Sequence, residues 1–291
     1  MRTRSWAEGI QRAGLGMLVV VLVAGGCEKQ PAQTGGVSGG VAIEKQPRIQ
    51  GQAEVPVQAE ARADVFWVER AEALAERVER ASKATATKDG ANGPGTILFV
   101  GDSITQGWED VGGAVWRARF EGLGAINLGI SGDRTVHVLH RMRECGLERL
   151  AARTRHVVLL IGTNDLTVGT TPESTADGIL ACVDEVRAKL PLAEVYVLEI
   201  LPRGVPGDGI RPRVDACNAR LRRLVESGVL RARLVATREL FLGAALDTSA
   251  GVGGAALPDG PIDAGLMPDG LHLSEQGYAL LAGAVREAMS N

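Results

Sequence analysis

The sequence predicts an α/β protein built on a central parallel sheet. From residue 96 onwards, short segments rich in Val, Ile and Leu alternate with longer segments whose apolar residues recur at helical spacing. The segment 156–161 is almost continuously apolar, which is typical of a strand buried on both faces of a sheet. Because helices separate successive strands, the chain follows the βαβ order that covers a parallel sheet with helices on both faces.

Five strands and the helices between them follow from this alternation. The predicted strands are residues 96–100, 125–129, 156–161, 194–201 and 233–236. The predicted helices are residues 64–83, 134–150, 175–190, 211–227 and 274–289, and residues 116–120 lie in a helix or its flanking loop. Thr171-Pro172-Glu173 is a helix start signal, and Ser274 is the expected N-cap of the last helix.

The first 60 residues have the composition of a targeting segment and a linker. Basic residues precede the apolar run 15–24, which is too short to span a bilayer comfortably, and small residues then lead to Cys27. This pattern predicts a bacterial lipoprotein signal with lipidation at Cys27, and an ordinary secretory signal or an uncleaved anchor are the alternatives. We divide the chain into a signal segment (1–27), a flexible linker (28–60) and a folded domain (61–291) held at a membrane of the cell envelope.

Composition and cysteine spacing exclude several classes of function. The 291 residues carry a formal net charge of −3, which gives no reason to expect nucleic acid as a partner. None of the four cysteines lies in a CxxC pair, so a zinc knuckle or a thioredoxin-like site is not expected. Cys145, Cys182 and Cys217 are expected to be small buried thiols, and a disulfide between two of them stays open.

Four polar motifs stand at the ends of predicted strands or before the last helix. They are Gly101-Asp102-Ser103, residues 129–133, Gly162-Thr163-Asn164-Asp165 and Asp269-Gly270-Leu271-His272. Loops that follow parallel strands emerge at one edge of a sheet, so these motifs are expected to converge on one crevice. Taken alone, Ser103 fits a helix N-cap better than a nucleophile. The convergence of the four motifs reverses that ranking.

The convergent motifs contain the groups that ester hydrolysis requires. A serine hydroxyl is a weak nucleophile and needs a base, which His272 can supply while Asp269 accepts a hydrogen bond from its Nδ1–H. The backbone N–H groups of Ser103 and Gly132 and the side-chain amide of Asn164 are candidate oxyanion donors. Considered singly, Gly132, Asn164 and Asp269 also fit ordinary turns.

The other three histidines fit structural roles better. His137 and His140 lie three residues apart on one predicted helix and are expected on its polar surface, because no convergent acidic ligands indicate a metal site. His156 opens a buried strand and is expected to be structural. The sequence therefore predicts neither a metal nor a cofactor.

The four motifs together resemble those of the SGNH, or GDSL-type, hydrolases, over about residues 95–290. Within that family, residues 99–105, 127–135, 200–204 and 267–273 are similar to the platelet-activating-factor acetylhydrolase subunits. The resemblance implies a flavodoxin-like, three-layer α/β/α sandwich and metal-free hydrolysis of small acyl esters. By position it makes Ser103 the nucleophile, Gly132 and Asn164 oxyanion donors, and Asp269 and His272 the rest of a triad. Asp165 departs from that branch, in which Asn is common.

These observations predict a serine esterase that acts on short-chain, O-acetyl esters, with an acetylated polysaccharide as the preferred substrate. A lysophospholipase or thioesterase of the same fold, an acyl transferase and a non-catalytic binding lipoprotein are the alternatives. The membrane is the other expected partner, through the lipid anchor, and a homodimer stays open. The Gly-rich loop 243–268 is either a mobile flank of His272 or a passive connection.

Overall fold

A computed structural model describes residues 57–84, 96–204, 209–242 and 260–290. The predicted signal segment, Cys27, most of the predicted linker and residues 243–259 of the Gly-rich loop lie outside these ranges. Within them, no helix combines the length and the apolar character needed to cross a membrane.

A five-stranded parallel sheet forms the centre of the described domain. Its strands are β1 (Ile97–Gly101), β2 (Ala125–Gly129), β3 (His156–Leu160), β4 (Glu194–Leu198) and β5 (Arg233–Val235). They lie in the order β2-β1-β3-β4-β5, and each neighbouring pair is parallel. The strand that follows β1 in the chain, β2, lies on one side of it, and the later strands lie on the other side. This change in the order of the strands opens a crevice at the carboxyl ends of β1, β2 and β3.

Eight α-helices accompany these strands in the described ranges. They are α1 (Val65–Lys83), α2 (Ser103–Gln106), α3 (Gly113–Arg119), α4 (Thr135–Glu144), α5 (Thr163–Thr167), α6 (Pro172–Lys189), α7 (Ile210–Glu226) and α8 (Glu275–Ser290). Both predicted helix starts are confirmed, since Thr171 Oγ1 accepts the N–H of Ser174 and Ser274 Oγ accepts the N–H of Gly277, each at 3.1 Å.

Two apolar cores lie between the sheet and the helices that pack on its two faces. Leu98 and Val100 of β1 lie in the core with α1, α4, α6 and α7. Ile97 and Phe99, which point to the opposite face because side chains alternate along a strand, lie in the core with α8. The structure therefore confirms the three-layer α/β/α sandwich.

The helix predicted for residues 134–150 is shorter than expected. It ends at Glu144, and a short 3-10 segment, Leu147–Leu150, follows it. Gly146 between the two has a φ of +75°, a left-handed conformation that ends an α-helix. The ends of the other predicted elements move by three residues or fewer, as in β4, which ends at Leu198 rather than at residue 201.

Residues 57–60, which the sequence assigns to the linker, pack against the domain instead. Val57 and Ala59 are partly buried against the core of α1 and α4. The backbone N–H of Glu60 donates to the carbonyl of Val136 at 3.1 Å. The sequence analysis placed the end of the linker a few residues too late. The apolar residues of this irregular segment have no periodicity that would assign them to the domain.

Candidate active site

Ser103 stands at the carboxyl end of β1, in the first position of α2. Asp102, not Ser103, caps this helix, because its Oδ1 accepts the N–H of Ile104 at 3.0 Å. The Ser103 hydroxyl is therefore available for another partner. Gly101 is required for the close approach of α2 to β3, since a Cβ there would collide with the Leu160 carbonyl oxygen and with Thr105.

His272 connects Asp269 to Ser103. Its Nδ1 lies 2.7 Å from Asp269 Oδ2, and its Nε2 lies 3.1 Å from Ser103 Oγ. Asp269 Oδ1 also accepts the backbone N–H groups of Leu271 and His272, at 2.9 and 2.6 Å, so the loop itself orients the carboxylate. The arrangement is that of a nucleophile, a base and the group that orients the base.

The two aspartates of this region have opposite pKa shifts. Burial opposes the ionisation of Asp269, but hydrogen bonds from the ring and backbone of His272 and from the N–H of Leu271 outweigh it and lower the pKa to about 2. Burial raises the pKa of Asp102 to about 7, against the hydrogen bond from Ile104. Within the described residues, Asp102 Oδ2 has no hydrogen-bond partner. Near neutral pH Asp269 is thus a carboxylate, which suits a partner of His272.

Gly132 lies in the loop that follows β2, next to α2. Its φ of +78° is in the left-handed region that favours glycine. The loop is joined to the Ser103 segment by two hydrogen bonds, from Ile130 N–H to the Gly101 carbonyl at 3.1 Å and from Ser131 N–H to Gln106 Oε1 at 2.8 Å. The predicted oxyanion donor Gly132 is therefore held beside the nucleophile's helix.

Asn164, in the first turn of α5, reaches the same loop. Its Nδ2 donates to the carbonyl oxygen of Asp133 at 2.9 Å. An amide nitrogen carries two protons, so a second hydrogen remains for another acceptor. Ser103 and Asn164 are partly exposed and Gly132 is exposed, which makes all three accessible to a substrate.

A buried polar network behind this loop was not predicted from the sequence. Asp133 is 0% exposed and accepts hydrogen bonds from Trp67 Nε1 at 2.8 Å and Arg141 Nε at 2.7 Å. Arg141 Nη2 also donates to the Gly101 carbonyl at 2.8 Å. Burial raises the pKa of Asp133, against the charge and hydrogen bond of Arg141. The one signal in the sequence is the position of Arg141 on the buried face of α4, beside Val138 and Met142.

The placement of His137 on a polar helix surface was wrong. It is buried, its Nδ1 accepts the N–H of Arg134 at 3.1 Å, and it closes the first turn of α4. Burial, together with nearby arginines, lowers its pKa to about 4, which keeps the ring neutral. His140 is half-buried and lies 6.0 Å from the ring of Trp67, and His156 is half-buried. Within the described ranges, no group of three or more His, Cys, Asp or Glu side chains is arranged to bind a metal.

Asp165 has a structural role at the position where the sequence departs from the acetylhydrolase branch. It is buried and accepts the backbone N–H of Thr135 at 3.0 Å and its hydroxyl at 2.6 Å. Burial raises its pKa, and the bonds from Thr135 oppose that effect. The aspartate at this position thus joins α5 to α4 through Thr135.

The three described cysteines are buried and unpaired: Cys145, Cys182 and Cys217. This confirms the expectation of buried thiols, and the disulfide that the sequence left open is not formed between them. Burial raises the thiol pKa of each, to about 11 for Cys145 and to about 12 for Cys217. None is therefore a thiolate at neutral pH.

The sandwich and the Ser103-His272-Asp269 contacts are features of an acyl hydrolase, and comparison with known proteins agrees. The chain belongs to the GDSL-like Lipase/Acylhydrolase family, whose model matches residues 99–280. It is 35% identical over 191 residues to subunit alpha2 of platelet-activating factor acetylhydrolase IB from Homo sapiens, covering 66% of this chain and 74% of that protein. Subunit alpha1 from Pongo abelii is 37% identical over 193 residues, with the same coverage of both chains.

Solved structures share the fold at lower identity. A GDSL-like lipase from Bacteroides thetaiotaomicron has a TM-score of 0.57 and 20% identity, covering 76% of this chain and 98% of its own. The acetyl xylan esterase AlAXEase has a TM-score of 0.52 and 20% identity, covering 66% of this chain and 98% of its own. The family assignment made from the four motifs is confirmed, and the protein is a GDSL-type acylhydrolase.

Proposed function

We propose that this protein is a serine esterase that removes short acyl groups, above all acetyl, from an alcohol oxygen. One observation carries the proposal: the His272 ring contacts Asp269 Oδ2 at 2.7 Å and Ser103 Oγ at 3.1 Å. Both distances lie within the range in which a base can accept the proton of a serine and be oriented by a carboxylate.

In the acylation step, His272 Nε2 accepts the hydroxyl proton of Ser103 while Oγ attacks the ester carbonyl carbon. Negative charge develops on the carbonyl oxygen, which receives hydrogen bonds from the N–H groups of Ser103 and Gly132 and from Asn164 Nδ2. Each such donor contributes about 3 kcal/mol to the transition state. When the tetrahedral intermediate collapses, the bond to the alcohol oxygen breaks and His272 returns its proton to that oxygen.

Deacylation repeats these steps with water. His272 removes a proton from a water molecule, whose oxygen attacks the acyl carbon of acyl-Ser103. The second tetrahedral intermediate releases Ser103 Oγ, which recovers the proton from His272, and the carboxylic acid leaves. In both steps the ionised Asp269 stabilises the imidazolium of His272 and keeps its Nε2 directed at Ser103.

The walls of the adjoining cleft support a short acyl group and a polar substrate. A cleft of about 530 Å³ is lined by Asp269, by Arg203 and Arg213 and by the apolar Ile210 and Leu271, among others. A long acyl chain gains free energy only against apolar walls, so the two arginines disfavour a lipid chain there. The word acetyl in the names of the alpha subunits and of the acetyl xylan esterase points in the same direction. Our preferred substrate is an O-acetyl group on a polysaccharide.

A fluorophosphonate probe and a series of p-nitrophenyl esters test the proposal. The probe is expected to label Ser103 in the folded protein, and kcat/KM is expected to fall by about 10-fold or more between the acetyl and octanoyl esters. A maximum at palmitoyl would favour the lysophospholipase or thioesterase alternative. Absence of labelling at Ser103 would favour a non-catalytic binding protein, and acyl transfer to added alcohols faster than hydrolysis would favour a transferase.

We also propose that the enzyme is lipid-anchored through Cys27 at the cell envelope. The proposal is supported by the basic residues, the apolar run 15–24 and the small residues before Cys27. Metabolic labelling with palmitate tests it, and labelling that persists in Cys27→Ser would contradict it.

A further inference from the structure

The segment that precedes the family match is in contact with the loop that carries Gly132. We call residues 57–70 the N-terminal clamp and residues 129–136 the oxyanion loop. Five hydrogen bonds join them: Glu60 N–H to Val136 O at 3.1 Å, Arg62 Nη1 to Ser131 O at 2.7 Å, Trp67 Nε1 to Asp133 Oδ1 at 2.8 Å, Arg70 Nε to Gly129 O at 2.9 Å, and Arg134 Nη2 to Glu60 Oε2 at 3.1 Å. The family match begins at residue 99, so none of the clamp lies within it.

Arg62 makes the contact nearest to the proposed oxyanion donor. A Cβ placed on Gly132 would lie 3.0 Å from Arg62 Nη1, so the guanidinium lies directly against this glycine. Its Nε donates to Asp64 Oδ2 at 2.9 Å, and Asp64 in turn caps α1 by accepting the N–H of Trp67 at 3.0 Å. Arg62 therefore joins the first turn of α1 to the oxyanion loop.

The Ser131–Gly132 peptide bond lies at the centre of a tight turn. Asp133 N–H donates to Ile130 O at 3.2 Å, which closes the turn, and the φ of Gly132, +78°, is that of the third residue of a type II turn. Types I and II differ by a flip of this central peptide, and glycine tolerates either orientation. The turn alone therefore does not determine which way the N–H of Gly132 points.

The carbonyl of Ser131 and the N–H of Gly132 belong to the same planar trans peptide and point in opposite directions. A group that binds the carbonyl therefore sets the direction of the N–H. Arg62 binds this carbonyl, and the N–H of Gly132 has no acceptor in the part of the chain that the structure describes. A charged donor on the carbonyl also polarises the peptide and strengthens the N–H as a donor.

We propose that Arg62 is a positioning residue for the oxyanion donor: it holds the Ser131–Gly132 peptide with the Gly132 N–H directed at the substrate carbonyl. The inference rests on the proposed esterase function. Arginine is suited to the task because its planar fork binds Asp64 and Ser131 with separate nitrogens, whereas a lysine offers a single nitrogen. The proposed catalytic unit accordingly includes Arg62, which precedes the start of the family match.

The test compares Arg62→Ala, Arg62→Lys and Arg80→Ala in the full chain. Arg62→Ala is expected to lower kcat for p-nitrophenyl acetate by about 10- to 100-fold, with KM changed by about twofold or less. The Ki of a boronic acid that forms a tetrahedral adduct with Ser103 is expected to rise by a factor similar to the loss of kcat. Arg62→Lys is expected to lie between Arg62→Ala and the unmodified enzyme.

Arg80→Ala is the matched control, because Arg80 lies on α1, the helix that follows Arg62, is exposed and pairs only with Glu76, at 3.4 Å, among the described contacts. If Arg62→Ala folds and its kcat stays within about threefold of the kcat of Arg80→Ala, the inference is overturned. If Arg62→Ala does not fold, the same threshold applies to Arg62→Lys. If Ser103→Ala loses hydrolysis while the kcat of Arg62→Ala stays near that of the control, the esterase function is supported and the role of Arg62 is not. An unmodified enzyme that hydrolyses no ester would overturn both.

Discussion

Replacing Ser103 by alanine is expected to lower kcat/KM for p-nitrophenyl acetate by about 10⁴-fold or more. The substitution removes the oxygen that we propose attacks the carbonyl carbon, while the proposed oxyanion donors, the N–H groups of residue 103 and Gly132 and the amide of Asn164, remain in place. In the described structure the one hydrogen bond of Ser103 Oγ is to His272, so its loss leaves the packing of β1 and α2 in place. Activity is followed by release of p-nitrophenol and stability by the melting temperature.

Ser227→Ala is a suitable control for this experiment. Ser227 lies just after α7, and its exposed hydroxyl donates to the Leu224 carbonyl at 3.1 Å. Its replacement is expected to change kcat/KM by less than about twofold. A Ser103→Ala enzyme that keeps more than about 1% of the original activity would contradict the nucleophile assignment.

Replacing Asp133 by alanine is expected to reduce the free energy of unfolding by about 3–5 kcal/mol. The carboxylate is 0% exposed, and its removal leaves the buried guanidinium of Arg141 and the indole N–H of Trp67 without this acceptor. An uncompensated buried charge accounts for most of the expected loss. Urea unfolding curves of the full chain, analysed for midpoint and slope, measure it.

Two further variants separate the buried charge from a general effect of substitution. Asp133→Ala/Arg141→Met is expected to be more stable than Asp133→Ala alone, because the second change removes the unpaired charge. Glu76→Ala breaks the exposed pair with Arg80 and is expected to cost about 1 kcal/mol or less. A loss at Asp133 no larger than that at Glu76 would contradict a stabilising role for the buried pair.

Much of the site was predictable because its residues follow strands of a parallel sheet. Ser103, Gly132 and Asn164 are far apart in sequence, but each follows a strand, and parallel strands end at one edge. Their approach is therefore a consequence of topology, which the alternation of apolar segments already predicts. The same local reasoning failed at the ends of elements, as at Gly146, where a single left-handed residue ends α4.

The sequence alone determined the class of fold, the order of the four motifs and the members of the proposed triad, because periodicity and loop order are local properties of the chain. Only the tertiary structure decided that His137 is buried, that Asp133 and Arg141 form a buried pair, and that Arg62 contacts Ser131. Arg62 and Ser131 are 69 residues apart. Their contact depends on how α1 packs beside the end of β2, and no spacing within either segment records that packing.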